Sequence, residues 1–325
     1  MIGPFGHRIP WQGGMPVREK AASLSATRRR EVNRVAILFM LPAFFFIAVF
    51  IAYPIAESMY LSLFKWDGFA TVKPAFTGFD NWRTLARDTV FWHAALNNLK
   101  IVGLSIAIQL PIGIGLGYLL DATGRKLNVL KVLWFIPYLL SSVAIGLLFR
   151  YAYDPYFGIV KFIAPLFGKT TIDLLGDPGR SLYAVIAVIC WQFTPFYMVY
   201  FLAGLSGMDT DIYEASLIDG ATRSQYFFKI VLPILSPTIR NACILSLVGS
   251  LKYFDLIYVM TGGGPNMLLG GVTTGATELM ATYMYKNAFT TNQRGYGSAI
   301  AMGMFLIVTG VSALTLRMMT GKERA

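Results

Sequence analysis

The sequence predicts an all-α integral membrane protein with six transmembrane helices and both termini cytoplasmic. Three observations carry that prediction. Of 325 residues, 55% are hydrophobic and only 14% charged, with a mean hydropathy of +0.56. A water-soluble domain averages about 25% charged residues, so this chain lacks the polar side chains to cover a solvated surface. The apolar residues gather into stretches near the roughly 20 residues that a bilayer-spanning helix needs. Lys and Arg are about twice as dense in alternate connections as in the others, the asymmetry that marks cytoplasmic loops.

The first span is Val35–Ala56, entered from Arg28, Arg29, Arg30 and Arg34. The others are Ile101–Leu120, Val132–Phe149, Ser181–Met208, Asn241–Met260 and Gly295–Leu316. All are free of Asp, Glu, Lys and Arg except Asn241–Met260, which holds Lys252 and Asp255. The chain then divides into a cytoplasmic tail over 1–34, a six-helix transmembrane domain over 35–317 and a short cytoplasmic tail over 318–325. The N-terminal apolar run starts too late and is too long for a secretory signal. Pro42, Pro54, Pro111, Pro137 and Pro195 lie within spans, where bundled helices tolerate kinks. Gly113 and Gly117 form a small-xxx-small pair suited to close helix packing.

The formal charge of +11 sits mostly in connections between apolar runs, which argues against nucleic acid as a partner. Cys190 and Cys243 form no disulfide framework and read as small buried hydrophobes. Two distant histidines, His7 and His93, make no metal site. Gly117, Gly124 and Lys126 lack the spacing of a phosphate-binding loop. No protease or hydrolase motif occurs, so the chain reads as a transporter, channel, receptor or assembly factor without catalytic residues of its own.

The connection 209–240 is longer than a passive turn requires. Asp211, with Glu214 three residues on, reads as a helix start, and Gly220 as a left-handed helix end. Thr222 and Gln225 form a second capping-box pattern, ahead of a helix that stops near Pro233. Two short helices standing at the inner membrane face with apolar side chains exposed imply either a cytoplasmic partner or, with Glu214 merely a cap, aromatics lying on the bilayer.

Glu214-Ala215-Ser216, then Asp219-Gly220-Ala221, Ile230 and Leu232-Pro233 resemble the EAA loop of ABC-importer permeases, with Ser216 where the family usually has Ala. Phe254-Asp255 through Thr261-Gly262-Gly263-Gly264-Pro265, followed by Tyr283, Tyr285 and Tyr296-Gly297, is similar to carbohydrate-uptake permeases of the maltose and glycerol-phosphate type, in particular the maltose-F-like first subunit. The resemblance covers roughly 36–317. It implies a type I ABC-importer permease fold in a bacterial cytoplasmic membrane. The implied partners are a second six-span permease, two cytoplasmic ATPase subunits, an extracytoplasmic sugar-binding protein, a sugar and membrane lipid. ATP and Mg²⁺ would belong to the ATPase, with no cofactor in this chain. The loop would couple the two: Glu214 pairing with the ATPase, Ala215 allowing close approach, Gly220 setting the elbow.

The resemblance also implies a sugar site near the bilayer midplane. It maps to Gln192, Phe193 and Phe196 of span four and to Ser246, Gly249, Ser250 and Tyr253 of span five. The last group, read as continuous helix, shares one face. Lys252 and Asp255 at i, i+3 read either as a mutual pair near the outer gate or as contacts for an anionic sugar. The rivals are a stand-alone channel or secondary transporter, and a receptor or assembly subunit. The EAA-like loop separates them from the permease reading, because a lone carrier has no use for it.

A reporter fused after Ala325 or within 209–240 is expected to read cytoplasmic, and one within 67–88 extracytoplasmic. An extracytoplasmic signal from the 209–240 fusion overturns the orientation.

Overall fold

The computed structural model describes residues 37–122 and 128–320. The expected tail 1–34 with its arginine cluster, the first two residues of the first expected span, and 321–325 lie outside the described residues. Two compact units divide the chain, Met1–Glu57 and Ser58–Ala325. The described part of the first is the start of helix α1 (Ile37–Leu61). Within α1, Ala48–Ala52 widens into a π-helical turn, and the Tyr53 N–H bonds Ala48 O. Pro54 follows directly. Its missing N–H and bulky ring are absorbed by the widened turn.

The second unit opens with a small hairpin of β1 (Phe64–Lys65) and β2 (Ala75–Phe76), Phe64 opposite Phe76. Helix α2 (Asp80–Arg87) follows, then α3 (Thr89–Ala122). Helices α4 (Asn128–Leu139) and α5 (Ser142–Ala152) come next, then the short α6 (Val160–Ile163) and α7 (Ser181–Leu205). The chain continues through α8 (Thr210–Ile218), α9 (Arg223–Ile234), α10 (Ser236–Leu251) and α11 (Asp255–Thr261). An antiparallel hairpin of β3 (Asn266–Leu269) and β4 (Val272–Gly275) turns through Gly270 and Gly271. Helix α12 (Met280–Tyr285) and α13 (Arg294–Thr320) complete the fold.

Helices α1, α3, α7 and α13 are long and apolar enough to cross a membrane. Two bent pairs, α4 with α5 at 91° and α9 with α10 at 67°, bring the count to as many as six. Two expectations need correcting. The third expected span is not one straight helix, because it breaks between Leu139 and Ser142. The fifth, Asn241–Met260, breaks at Lys252–Phe254, and α10 starts earlier, at Ser236. The helix through Pro233 ends one residue later, at Ile234, where the sequence predicts a stop, near that proline. A π turn over Phe227–Val231 precedes it, with the Leu232 N–H bonding Phe227 O. This is the device already seen before Pro54, and the bend falls just after the proline, between Ile234 and Ser236.

The core forms where α3 packs along α7, with α10 against α3 and α11 against α5. One cluster joins Ile101, Val185, Ile189, Ile257 and Leu279, all fully buried. Another joins Leu110, Ile114, Tyr197, Phe201 and Ala242. The glycines read from the sequence as packing residues sit in this seam. A Cβ on Gly113 would lie 2.8 Å from Tyr197 Cβ, and one on Gly117 3.1 Å from the Met198 carbonyl. Gly115, between them, faces open space.

Gly113→Val should therefore overpack the seam and cost about 1–3 kcal/mol. Gly115→Ala should be neutral or stabilising by up to about 1 kcal/mol, since Ala is the better helix former. Thermal unfolding in detergent checks both, and equal melting of the two variants contradicts the packing assignment.

Candidate functional site

The loop between α7 and α10 is built by its caps. The start lies earlier than read from the sequence: Asp209, not Asp211, is the N-cap, and its carboxylate accepts the Asp211 N–H at 3.1 Å. Asp211 sits instead in the first turn, where a negative charge suits the helix dipole. At the other end the Ala221 N–H bonds Ser216 O and the Gly220 N–H bonds Leu217 O. Gly220 has φ +73, the left-handed geometry that ends the helix. No atom approaches its Cβ position within 4 Å, so conformation rather than crowding calls for glycine. Ser216 is buried, and its hydroxyl donates to Tyr213 O at 2.7 Å.

The second box is present as read. Thr222 accepts from the Gln225 N–H, and Gln225 Oε1 accepts from the Thr222 N–H at 2.8 Å. Val231 and Leu235 are buried and anchor α9, while Ile230 and Leu232 are half-buried. Ile218, 87% exposed, and Leu217 and Phe228 stand out from the unit. Glu214, Ala215, Asp219 and Pro233 are exposed with them. Each helix stop and start is thus fixed locally, and an apolar edge with one glutamate faces outward.

The proposed pathway residues only partly converge. Gln192 is buried, and its amide donates to Ser142 Oγ at 3.2 Å and more weakly to Leu140 O. It thereby closes the break between α4 and α5. Its Oε1 has no hydrogen-bond partner among the described residues. The Phe193 ring lies 5.3 Å from Tyr253 and 5.9 Å from Tyr138, which stacks at 5.3 Å on Phe196. Tyr138, Phe193, Phe196 and Tyr253 therefore make one aromatic cluster. Ser246 and Ser250 are buried, whereas Gly249 points to open space. The shared helix face is not kept, because α10 ends at Leu251 and Tyr253 lies beyond it.

Lys252 and Asp255 do not pair among the described residues, and both are exposed. The helix break between them removes the i, i+3 geometry. Lys252 instead caps the C-terminus of α10 and Asp255 opens α11, so each charge sits at a helix end of complementary sign.

Four polar residues escaped the sequence reading. Asn97 Nδ2 donates to Ala276 O and Glu278 O, both at 3.0 Å. Asn98 Nδ2 donates to Leu251 O at 3.3 Å and more weakly to Ser250 O, while Asn98 Oδ1 accepts the Met280 N–H at 3.0 Å. Both asparagines are fully buried. Asp88 caps α3 through the Val90 and Phe91 N–H groups and accepts the hydroxyls of Tyr283 and Tyr296. Burial first, and the Asp88 contact next, raises the Tyr283 hydroxyl above its ordinary pKa, so it remains a donor. Glu278, buried, pairs with Lys286 and accepts from Thr282. An adjacent asparagine pair next to an apolar run was the available signal.

A family model described as the inner membrane component of binding-protein-dependent transport systems matches residues 109–319. The sulfoquinovosyl glycerol transport permease SmoG of Agrobacterium fabrum is 30% identical, over 89% of this chain and 91% of its own length. The trehalose/maltose transport permease MalF of Thermococcus litoralis is 30% identical, over 91% of this chain and 97% of its own. A solved bacterial ABC transporter for import of the acidic polysaccharide alginate contains a chain of the same fold. Its TM-score is 0.74 at 22% identity, covering 91% of this chain and 98% of that one.

Asn98→Ala should cost about 1–3 kcal/mol by stranding the Leu251 carbonyl and the Met280 N–H. Ser105→Ala removes a buried hydroxyl that has no partner among the described residues and should be nearly neutral. Unfolding in detergent separates the two, and equal effects refute the clamp.

Proposed function

We propose a function from one premise: the chain belongs to the family of inner membrane components of binding-protein-dependent transport systems. It is a permease subunit of an ATP-driven importer, and its cargo is a sugar or sugar derivative. The cargo class follows from relatives named for sulfoquinovosyl glycerol and for trehalose and maltose. The chain lies in a cytoplasmic membrane with six spans, the bent pairs counting as one each, and with both termini inside. A second permease completes the pore. Two ATPase subunits work from the cytoplasm, and an extracytoplasmic binding protein delivers the sugar.

The observation that carries the coupling part is the doubly capped projection α8–α9. Its stops and starts are fixed by Asp209, Gly220 and the Thr222–Gln225 box, so a push on Glu214 or Ile218 is transmitted rather than lost in bending. Glu214 is exposed and makes no hydrogen bond or ion pair among the described residues, leaving it open to a donor on the ATPase. ATP closes the ATPase pair, the projection moves as a lever, and the pore changes between inward- and outward-open states. The sugar passes beside the Tyr138–Phe193–Phe196–Tyr253 cluster. Aromatic faces there suit C–H patches of a pyranose, and the free Oε1 of Gln192 suits a hydroxyl. Ser246 and Ser250 line the path only in a state that exposes them.

Glu214→Ala should reduce copurification of the ATPase and abolish substrate-stimulated ATP hydrolysis while the permease still inserts. Gly220→Pro, which cannot take a positive φ, should do the same. Stimulation equal to the parent in both variants would reduce the projection to an ordinary connector.

A further inference from the structure

A cavity of ≈ 430 Å³ lies between the cytoplasmic ends of α3 and α7 and the inner side of the α8–α9 projection. Its floor is apolar, made by buried Leu205 and Val231. Its walls are three tyrosines: Tyr118, Tyr213 and Tyr226, the last two in edge contact at 5.1 Å. Two opposite charges line the same space, Asp121 and Arg223. Neither is in an ion pair among the described residues, with each other or with any other group. They share one small volume without forming a salt bridge. Asp209, also at the rim, is already engaged as the α8 cap. None of these residues belongs to the proposed coupling contacts or the sugar path.

That arrangement is complementary to a zwitterion with an apolar end. An ammonium is attracted to the tyrosine faces and to Asp121. A phosphodiester finds a forked, permanently charged donor in Arg223. The apolar floor receives the first carbons of an attached chain. The site also stands where two apolar spans end, the level at which aromatic residues meet lipid headgroups. We infer that this cavity is a binding site for the headgroup of an amine-bearing zwitterionic phospholipid, wedged behind the projection. The inference needs the spans to cross a bilayer but not the importer reading.

The test uses the full chain in mild detergent, with bound lipid counted by native mass spectrometry. Dioleoyl phosphatidylethanolamine and dioleoyl phosphatidylglycerol are added in equal amounts. The parent is expected to retain the ethanolamine lipid about tenfold better. Asp121→Asn, which removes only the ammonium partner, should erase that preference. Arg223→Gln should lower retention of both lipids about tenfold, the scale of losing a hydrogen bond to a charged group. Leu314→Ala, on the exposed surface of α13 and outside the cavity lining, controls for a general effect of substitution and should keep the parent pattern. Equal retention of the two lipids by the parent overturns the inference. So does parent-like behaviour of both charge variants.

Discussion

Much of this architecture depends on how the fully buried Asn98 side chain is satisfied. An apolar environment offers no water to a broken helix, so each carbonyl freed at a break needs a donor from within the protein. Asn98 supplies one at the end of α10 and, through its oxygen, holds the backbone at Met280. Gln192 serves the break between α4 and α5 in the same way. These two amides satisfy the backbone at two helix breaks, after Leu139 and after Leu251. The discontinuities in turn set where Tyr138 and Tyr253 stand against Phe193. The aromatic cluster is therefore a product of hydrogen bonding at breaks rather than of a continuous helix face.

The α8–α9 projection solves the opposite problem. It lies among exposed side chains, so its order comes from local chemistry: a carboxylate cap, a left-handed glycine and a reciprocal box. Each such cap contributes about 1 kcal/mol. Little of its surface is covered by the rest of the chain, and Leu217, Ile218 and Phe228 remain exposed. A segment that is ordered before meeting a partner loses less entropy on docking.

That contrast explains what the sequence disclosed. Gly220 and Thr222–Gln225 were legible because caps act within a few residues. The span positions were legible because apolar length is a local property. The start of α3 at Thr89 was hidden by His93, Asn97, Asn98 and Lys100, which read as a polar boundary until their distant partners are known. The break after Leu251 was hidden for the complementary reason: Lys252-Tyr253-Phe254 contains no Gly or Pro, and its stability comes from Asn98, more than 150 positions away. The Lys252–Asp255 pairing failed with the helix that was assumed to join them.

Beyond the TGGGP segment, β3 and β4 are joined by two glycines with φ +58 and +85, the twisted two-residue turn that suits an antiparallel hairpin. Nothing comes within 4 Å of either Cβ position. The hairpin base is secured independently, by Thr277 bonding Gly264 O and by Ala276 bonding Pro265 O. The tip is consequently a place where the chain can grow over evolutionary time. Each doubling of an added loop costs only about 0.6 kcal/mol in closure entropy, while the base keeps its register. Relatives can acquire whole inserted modules at this point without re-evolving the helices beneath.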